Sequence, residues 1–293
     1  MITVRTAGPA MLLVFCCSSS FGGLPAAAHD PIHEQIAALT KRIQQDSQNA
    51  PLYLKRGELH SYHGEWDAAL ADYERAAQLD PALATVDLAR GKTLLHAGRY
   101  TQAKDALDRF LAGHPEDLEA LATRARTQVR LGQPRAAVDD FTRAIRQGER
   151  VGRLIPDYYL ERARVLVAQG GTQDEEALRG LDEGIARLGP LVSLQLYAIE
   201  LELGAKRYEG ALARLESVAA QTPRKELWLA RRAEILEQAG RQEEARLAYE
   251  QGLEAIESLS PHHRKTRATL KLEAQVHAAL ARLGRNPKQE VDP

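Results

Sequence analysis

The side chains best placed to do chemistry in this sequence are histidines near its beginning. His60 and His63, in the run HSYH, stand one helical turn apart, a spacing that suits two ligands of one metal ion. His60 also falls where a packed aromatic would serve, and packing is the simpler reading of it. His29 and His33 form a second candidate. A chain beginning at His29 would offer a free amine and an imidazole to one copper ion, with His33 one turn further on as an added ligand. Five arginines recur along the chain, at Arg56, Arg90, Arg124, Arg162 and Arg232. They could line an anion track, or they could be tied to carboxylates. Asp72 and Asp140, just before the aromatics Tyr73 and Phe141, stand at matching positions, and an arginine buried without a partner is costly, so the tie is the better reading.

No catalytic set accompanies these residues. The sequence has no P-loop, no Gly-x-Ser-x-Gly, no His-Glu-x-x-His, and no cysteine beyond Cys16 and Cys17. Its Asp and Glu residues are scattered at salt-bridge spacing, as on solvated helix faces. The expectation is a protein that is not an enzyme and requires no cofactor.

Composition narrows the setting. Lys and Arg number 39 against 40 Asp and Glu, a formal net charge of -1, which argues against a nucleic-acid binder. Only 2 Trp and 4 Phe stand among abundant Ala, Leu, Arg and Glu, a balance that suits helices. Residues 1–28 read as an export signal: Arg5, then the apolar run from Ala10 to Cys17, then small residues ending at Ala28. Cleavage there predicts an exported chain, periplasmic or secreted, that starts at His29 and lacks cysteine. Lipid attachment at Cys16 or Cys17 is the rival, weakened by the bulky Phe15. Beyond residue 28 no apolar run of about 18 residues occurs, so no membrane span is expected in the mature chain.

The elements that would position these side chains follow from a repeat. Ala69, Ala103, Ala137, Ala177, Ala211 and Ala245 are separated by 34, 34, 40, 34 and 34 residues. A second ladder of small residues runs through Gly57, Gly91, Ala125, Ala163, Ala198 and Ala233. Such ladders mark the places where paired helices touch, because a larger side chain would force them beyond their usual separation of about 8–10 Å. Turn glycines at Gly64, Gly98, Gly132, Gly170 and Gly240, aromatics at Tyr73, Phe141 and Tyr249, and prolines at Pro81, Pro115, Pro190 and Pro223 keep the same register.

This pattern resembles the tetratricopeptide repeat family, over Ala50 to about Glu257. The resemblance implies an all-α, right-handed superhelical solenoid of about six helix-turn-helix repeats. The expected division is 29–49 as an N-terminal capping helix, 50–257 as repeats, 258–284 as a C-terminal capping helix and 285–293 as a flexible tail. Ile32, Ile36, Leu39 and Ile43 form the apolar stripe of the first cap; Leu270, Ala274, His277 and Ala281 are expected to form that of the second. Three departures stand out. The third repeat ends in RQGERVGRLIPD, Arg146 to Asp157, which predicts a longer loop and a change of curvature. The fourth turn is lengthened, and the fifth lacks a turn glycine in register.

The resemblance also implies a concave surface lined by the first helices, and hence a binding groove for a protein or peptide. Its exposed slots here hold Tyr62, Lys92, His96, Arg126, Arg130 and Arg164. Their basic excess points to a ligand segment that is acidic or ends in a carboxylate, with a solvated charge band as the alternative. The Lys and Asn set by which some members clamp a C-terminal carboxylate is absent. The functional expectation is an adapter or scaffold outside the cytoplasm, with copper binding through His29 and His33 as the second reading.

Overall fold

A computed structural model describes residues 31–284 apart from Thr172. The segment read as an export signal, His29 and the residues from 285 onward lie outside the described residues. Every element among the described residues is a helix. Six antiparallel pairs follow one another: α2 (Ala50–Tyr62) with α3 (Trp66–Leu79), α4 (Thr85–His96) with α5 (Tyr100–Gly113), and α6 (Leu118–Arg130) with α7 (Pro134–Val151). Then come α8 (Pro156–Val167) with α9 (Gln173–Leu188), α10 (Val192–Gly204) with α11 (Tyr208–Ala220), and α12 (Glu226–Gln238) with α13 (Gln242–Glu257). Helix α1 (Pro31–Gln45) covers α2 at one end. At the other, a short α14 (Pro261–Arg264) leads into α15 (Arg267–Leu283), which packs on α13 and α12. The chain is therefore an all-α solenoid.

The pairing follows from the small residues. Ala69, Ala103, Ala137, Ala177, Ala211 and Ala245 are all at 0% exposure, so no larger side chain fits the crossing point. The partner slot is as tight: a Cβ on Gly57 would lie 2.6 Å from the Tyr73 ring, and one on Gly91 would lie 2.6 Å from Leu107. Each pair thus closes over one large buried side chain, among them Tyr73, Leu107, Phe141 and Tyr249. Burying such a side chain stabilises by about 1.5–3 kcal/mol. The core runs continuously across neighbouring repeats, from Leu107 to Ala198 in its largest part.

Each turn uses a left-handed residue, at Gly64, Gly98, Gly132, Gly170 and Gly240. In the fifth repeat Lys206 takes that place with φ 57°, the only non-glycine among the described residues with positive φ. The lengthened fourth turn holds two such residues, Gly170 and Gly171. On the turn edge, Arg99 reaches back to Asp67 at 2.7 Å, Arg241 reaches Glu209 at 2.6 Å, and Arg207 pairs with Glu175. These links between repeats are exposed and worth at most about 1 kcal/mol each.

Two expectations are corrected. The extra residues of the third repeat form helix rather than a long loop: α7 is extended to 18 residues, ends at the left-handed Gly152, and leaves only residues 152–155 before Pro156 opens α8. Gly148 allows this return, because the Arg153 carbonyl oxygen passes 2.6 Å from where a Cβ would stand. The second correction concerns the C-terminal cap. Its inward face is Thr269, Val276 and Ala279, flanked by the half-buried Leu272, Leu280 and Leu283, whereas Leu270, Ala274, His277 and Ala281 face outward. The reason is apolar area: the stripe of Leu272, Val276, Ala279, Leu280 and Leu283 buries more than one built on two alanines and a histidine. The cap is also broken, since Thr266 ends the turn after α14 and accepts a hydrogen bond from the Thr269 amide to start α15. The stripe of α1 does face inward, with Leu39 and Ile43 buried against Leu52.

Candidate functional site

First helices of successive repeats touch one another at α2–α4, α4–α6 and α8–α10, while no two second helices make comparable contact. The first helices therefore lie on the inner side of the curve. Arginine–carboxylate ties hold the pairs at a set separation. Arg56 binds Asp72 through two hydrogen bonds of 2.8 and 2.6 Å, and its third nitrogen donates to Thr40 Oγ1 on α1 at 3.0 Å. Arg124 binds Asp140 in the same way and adds Asp108 on α5 at 2.7 Å. Arg162 reaches Glu183 at 3.1 Å. In the fifth repeat the polarity is reversed, with Arg214 on the second helix and Glu202 on the first, 3.5 Å apart. Among the described residues Arg90 makes an ion pair only with Asp87 of its own helix, at 3.7 Å, and Arg232 is exposed. Most of the arginine ladder is thus committed to holding the helices together.

The structure brings three of the slot residues, Tyr62, Lys92 and His96, into one cleft of about 580 Å³ between α2 and α4. That volume falls within the range of roughly 300–1,000 Å³ usual for binding clefts. Tyr62, the last residue of α2, is 80% exposed. The His96 ring stacks on Trp66, with centroids 6.1 Å apart and planes 14° from parallel. Below them Thr93 Oγ1 donates to Ser61 Oγ at 2.7 Å and approaches the buried Tyr73 hydroxyl at 3.3 Å. Lys92 Nζ donates to Glu119 Oε1 on α6 at 2.5 Å. Desolvation raises the pKa of Glu58 on the same cleft, against the pull of Lys92 and Lys55.

The other slot residues lie beyond that cleft, on α6 and α8. Arg126 is bound by Glu161 of α8 through two hydrogen bonds of 2.7 Å, which raise its pKa against the opposing effect of desolvation. Arg130 is exposed and has no ion pair among the described residues. Arg164 is exposed, its guanidinium 5.8 Å from the centre of the Tyr197 ring. The band expected to be uniformly basic is therefore half neutralised from within. Sequence reasoning missed Trp66, Glu119 and Glu161. A tryptophan at a helix start, in a chain with 2 Trp, was a usable signal for the first; the two glutamates come from the next repeat and had none.

A second cleft lies at the extended α7, lined by Pro115, Glu116, Leu121, Arg143, Arg146 and Arg150 among others, with Val151 exposed beside it. His60 is half-buried, its Nδ1 2.5 Å from Glu65 Oε2. No described helix is long and apolar enough to cross a membrane.

Comparison with known proteins places this architecture. The chain is similar in fold to YrrB, described as a TPR protein with an unusual peptide-binding site, with 24% identity, 66% of this chain and 97% of that one covered, and a TM-score of 0.50. A tetratricopeptide repeat protein from Parabacteroides merdae gives 19% identity, 83% and 92% coverage and a TM-score of 0.52. PilW, described as a widely conserved type IV pilus biogenesis factor, gives 19%, 66% and 86%, and 0.54. No curated protein matches in sequence. The profile of the tetratricopeptide repeat matches residues 54–117, 88–126, 122–186 and 198–260, which together take in most of the chain. With its period, its crossing points and its profile in agreement, the chain belongs to the tetratricopeptide repeat family.

Proposed function

We propose that this chain is an adapter that holds a segment of another protein along the inner face of its solenoid, and that it works outside the cytoplasm. The observation that carries the reading is the cleft between α2 and α4. It sets an aromatic platform, Tyr62 beside the Trp66–His96 stack, among donors and acceptors of both signs. An apolar platform with a few convergent polar groups suits an extended segment better than a small charged metabolite. The peptide-binding site for which YrrB is described and the pilus biogenesis role of PilW support the same class of activity. Because Lys92 and Arg126 are answered by Glu119 and Glu161, the positive charge a partner meets comes from Arg130 and Arg164. The bound segment then places an apolar or aromatic residue over Tyr62 and Trp66, and an acidic residue or terminal carboxylate toward Arg130 and Arg164.

Affinity capture from the exporting cell, followed by mass spectrometry, supplies the partner, and titration of that partner tests the surface. Trp66→Ala and the double change Arg130→Glu with Arg164→Glu should each weaken binding at least about tenfold, the latter more as salt is lowered. Arg99→Ala on the turn edge should leave it unchanged. If both groove variants bind as the parent does, the inner face is not the recognition surface and the cleft beside α7 takes its place. N-terminal sequencing of the exported protein tests the location: a chain beginning at His29 is expected, and an intact residue 1 on a cytoplasmic protein would overturn it.

A further inference from the structure

The turn between α2 and α3 differs from the other five in what flanks it. In every repeat the left-handed residue folds its two neighbours toward one another. In the other copies those neighbours are Ala97 and Arg99, Leu131 and Gln133, Gln169 and Gly171, Ala205 and Arg207, and Ala239 and Arg241. In the first copy they are His63 and Glu65, a nitrogen and an oxygen ligand. Because α1 runs antiparallel to α2, its first turn lies beside this same turn and adds His33. The His33 and His63 rings meet edge to face with centroids 4.4 Å apart, and His63 Nδ1 is 3.3 Å from Glu65 Oε1. One ligand atom from each of His33, His63 and Glu65 lies within 4.8 Å of the others; no other such trio of His, Asp or Glu occurs among the described residues.

From this geometry we infer a metal site: His33, His63 and Glu65 bind one divalent first-row transition ion, zinc foremost, and so clamp the N-terminal helix to the first turn of the solenoid. Two imidazoles and one carboxylate are a donor set for zinc, copper or nickel rather than for calcium or magnesium, which take oxygen ligands. A tetrahedral ion about 2.0–2.1 Å from each ligand needs them about 3.3–3.5 Å apart. The His63–Glu65 pair already has that separation, and the exposed His33 ring, with its ligand atom within 4.8 Å of both, has little further to move. The outer shell is present as well. His60 Nδ1 lies 2.5 Å from the far oxygen, Glu65 Oε2, which turns Oε1 toward the histidines. Three protein ligands leave a fourth position to water. The clamp acts at the end of α1 that the core leaves out, since α1 is held on α2 further along, by Leu39 and Ile43 against Leu52, Tyr53 and Leu59 and by the Thr40–Arg56 hydrogen bond. This site differs from one built on the amine of His29, which it does not require.

The test uses the untagged full chain, stripped with chelator and titrated with zinc at pH 7.5. One zinc per chain is expected, with no competition from magnesium or calcium. His33→Ala, His63→Ala and Glu65→Gln should each lower affinity at least about tenfold, as loss of a ligand does. His29→Ala and the double change His262→Ala with His263→Ala, at the exposed pair near the other end, should leave it unchanged. Zinc should also slow amide exchange in α1 of the parent and not of His33→Ala. His33 and His63 are exposed residues and Glu65 is half-buried, and circular dichroism should be the same for each variant. The inference is overturned if no zinc binds with Kd below about 0.1 mM, if the variant that combines His33→Ala, His63→Ala and Glu65→Gln retains it, or if His29→Ala abolishes it while His63→Ala does not.

Discussion

Arg124 and Asp140 face each other across the third helix pair through two parallel hydrogen bonds, Nε to Oδ2 at 2.7 Å and Nη2 to Oδ1 at 2.8 Å, with Asp140 only 3% exposed. Removing the arginine alone strands a buried carboxylate, which typically costs about 3–5 kcal/mol. Arg143, 3.4 Å from Asp140 Oδ1, supplies partial relief, so Arg124→Leu should fall near the lower end. The double change Arg124→Leu with Asp140→Leu should recover much of the loss. Urea unfolding of the two variants and the parent measures both. If the double variant is no better than the single, the pair does not act as a unit.

Lys206 holds φ 57° where the other turns use glycine. A side chain in that conformation costs about 1–2 kcal/mol, and glycine gives back part of the gain as backbone entropy. Lys206→Gly should therefore stabilise by about 0.5–1 kcal/mol. Gly98→Lys, at the matching place with φ 74°, should lose a comparable amount. Thermal midpoints that move the other way would show that Lys206 has a compensating role.

Gly148→Ala should destabilise by about 1–3 kcal/mol, because the new methyl would meet the Arg153 carbonyl at 2.6 Å and backbone cannot swing aside as a side chain can. Gly113→Ala is the control. It stands at the end of α5 with nothing within 4 Å, and should be neutral or slightly stabilising. Denaturant midpoints separate the two.

Burial pushes the Asp108 carboxyl up, but hydrogen bonds from Lys104 and Arg124 outweigh it and hold its pKa below the ordinary value. A depressed folded pKa means that the stabilisation is present above the unfolded value, about 3.9, and is lost as pH falls through the folded one. Between pH 5 and pH 2, about that window, Asp108→Asn should lose less stability than the parent. Parallel curves for the two would show that Asp108 has no linked proton.

The period, the helix pairs and the crossing points were all legible, because each rests on sterics that recur. A small residue is needed wherever two helices touch, a left-handed residue wherever the chain turns, and both constraints repeat with the period. The Arg56–Asp72 and Arg124–Asp140 ties could be read for the same reason, each joining two slots of one helix pair. The face of α15 could not. It belongs to no repeat, so no recurring register marks its inward side, and the stripe with the larger apolar area is the one that seats in the cluster of Tyr249 and Leu236.

What the sequence by itself determined, then, is the brick and its stacking: a helix pair closed over one large side chain, repeated until capped. What only the tertiary structure decided is the character of the surfaces made where bricks meet. Glu119 neutralises Lys92 and Glu161 neutralises Arg126 across a repeat boundary, and Trp66 stacks on His96 of the following repeat. His33 comes from outside the repeats to meet His63 and Glu65. The physical reason is range. Steric rules act within a turn or a helix pair and leave a local mark, whereas charge and ligand geometry depend on atoms some 30 residues apart whose separation is set only once the superhelix has its pitch.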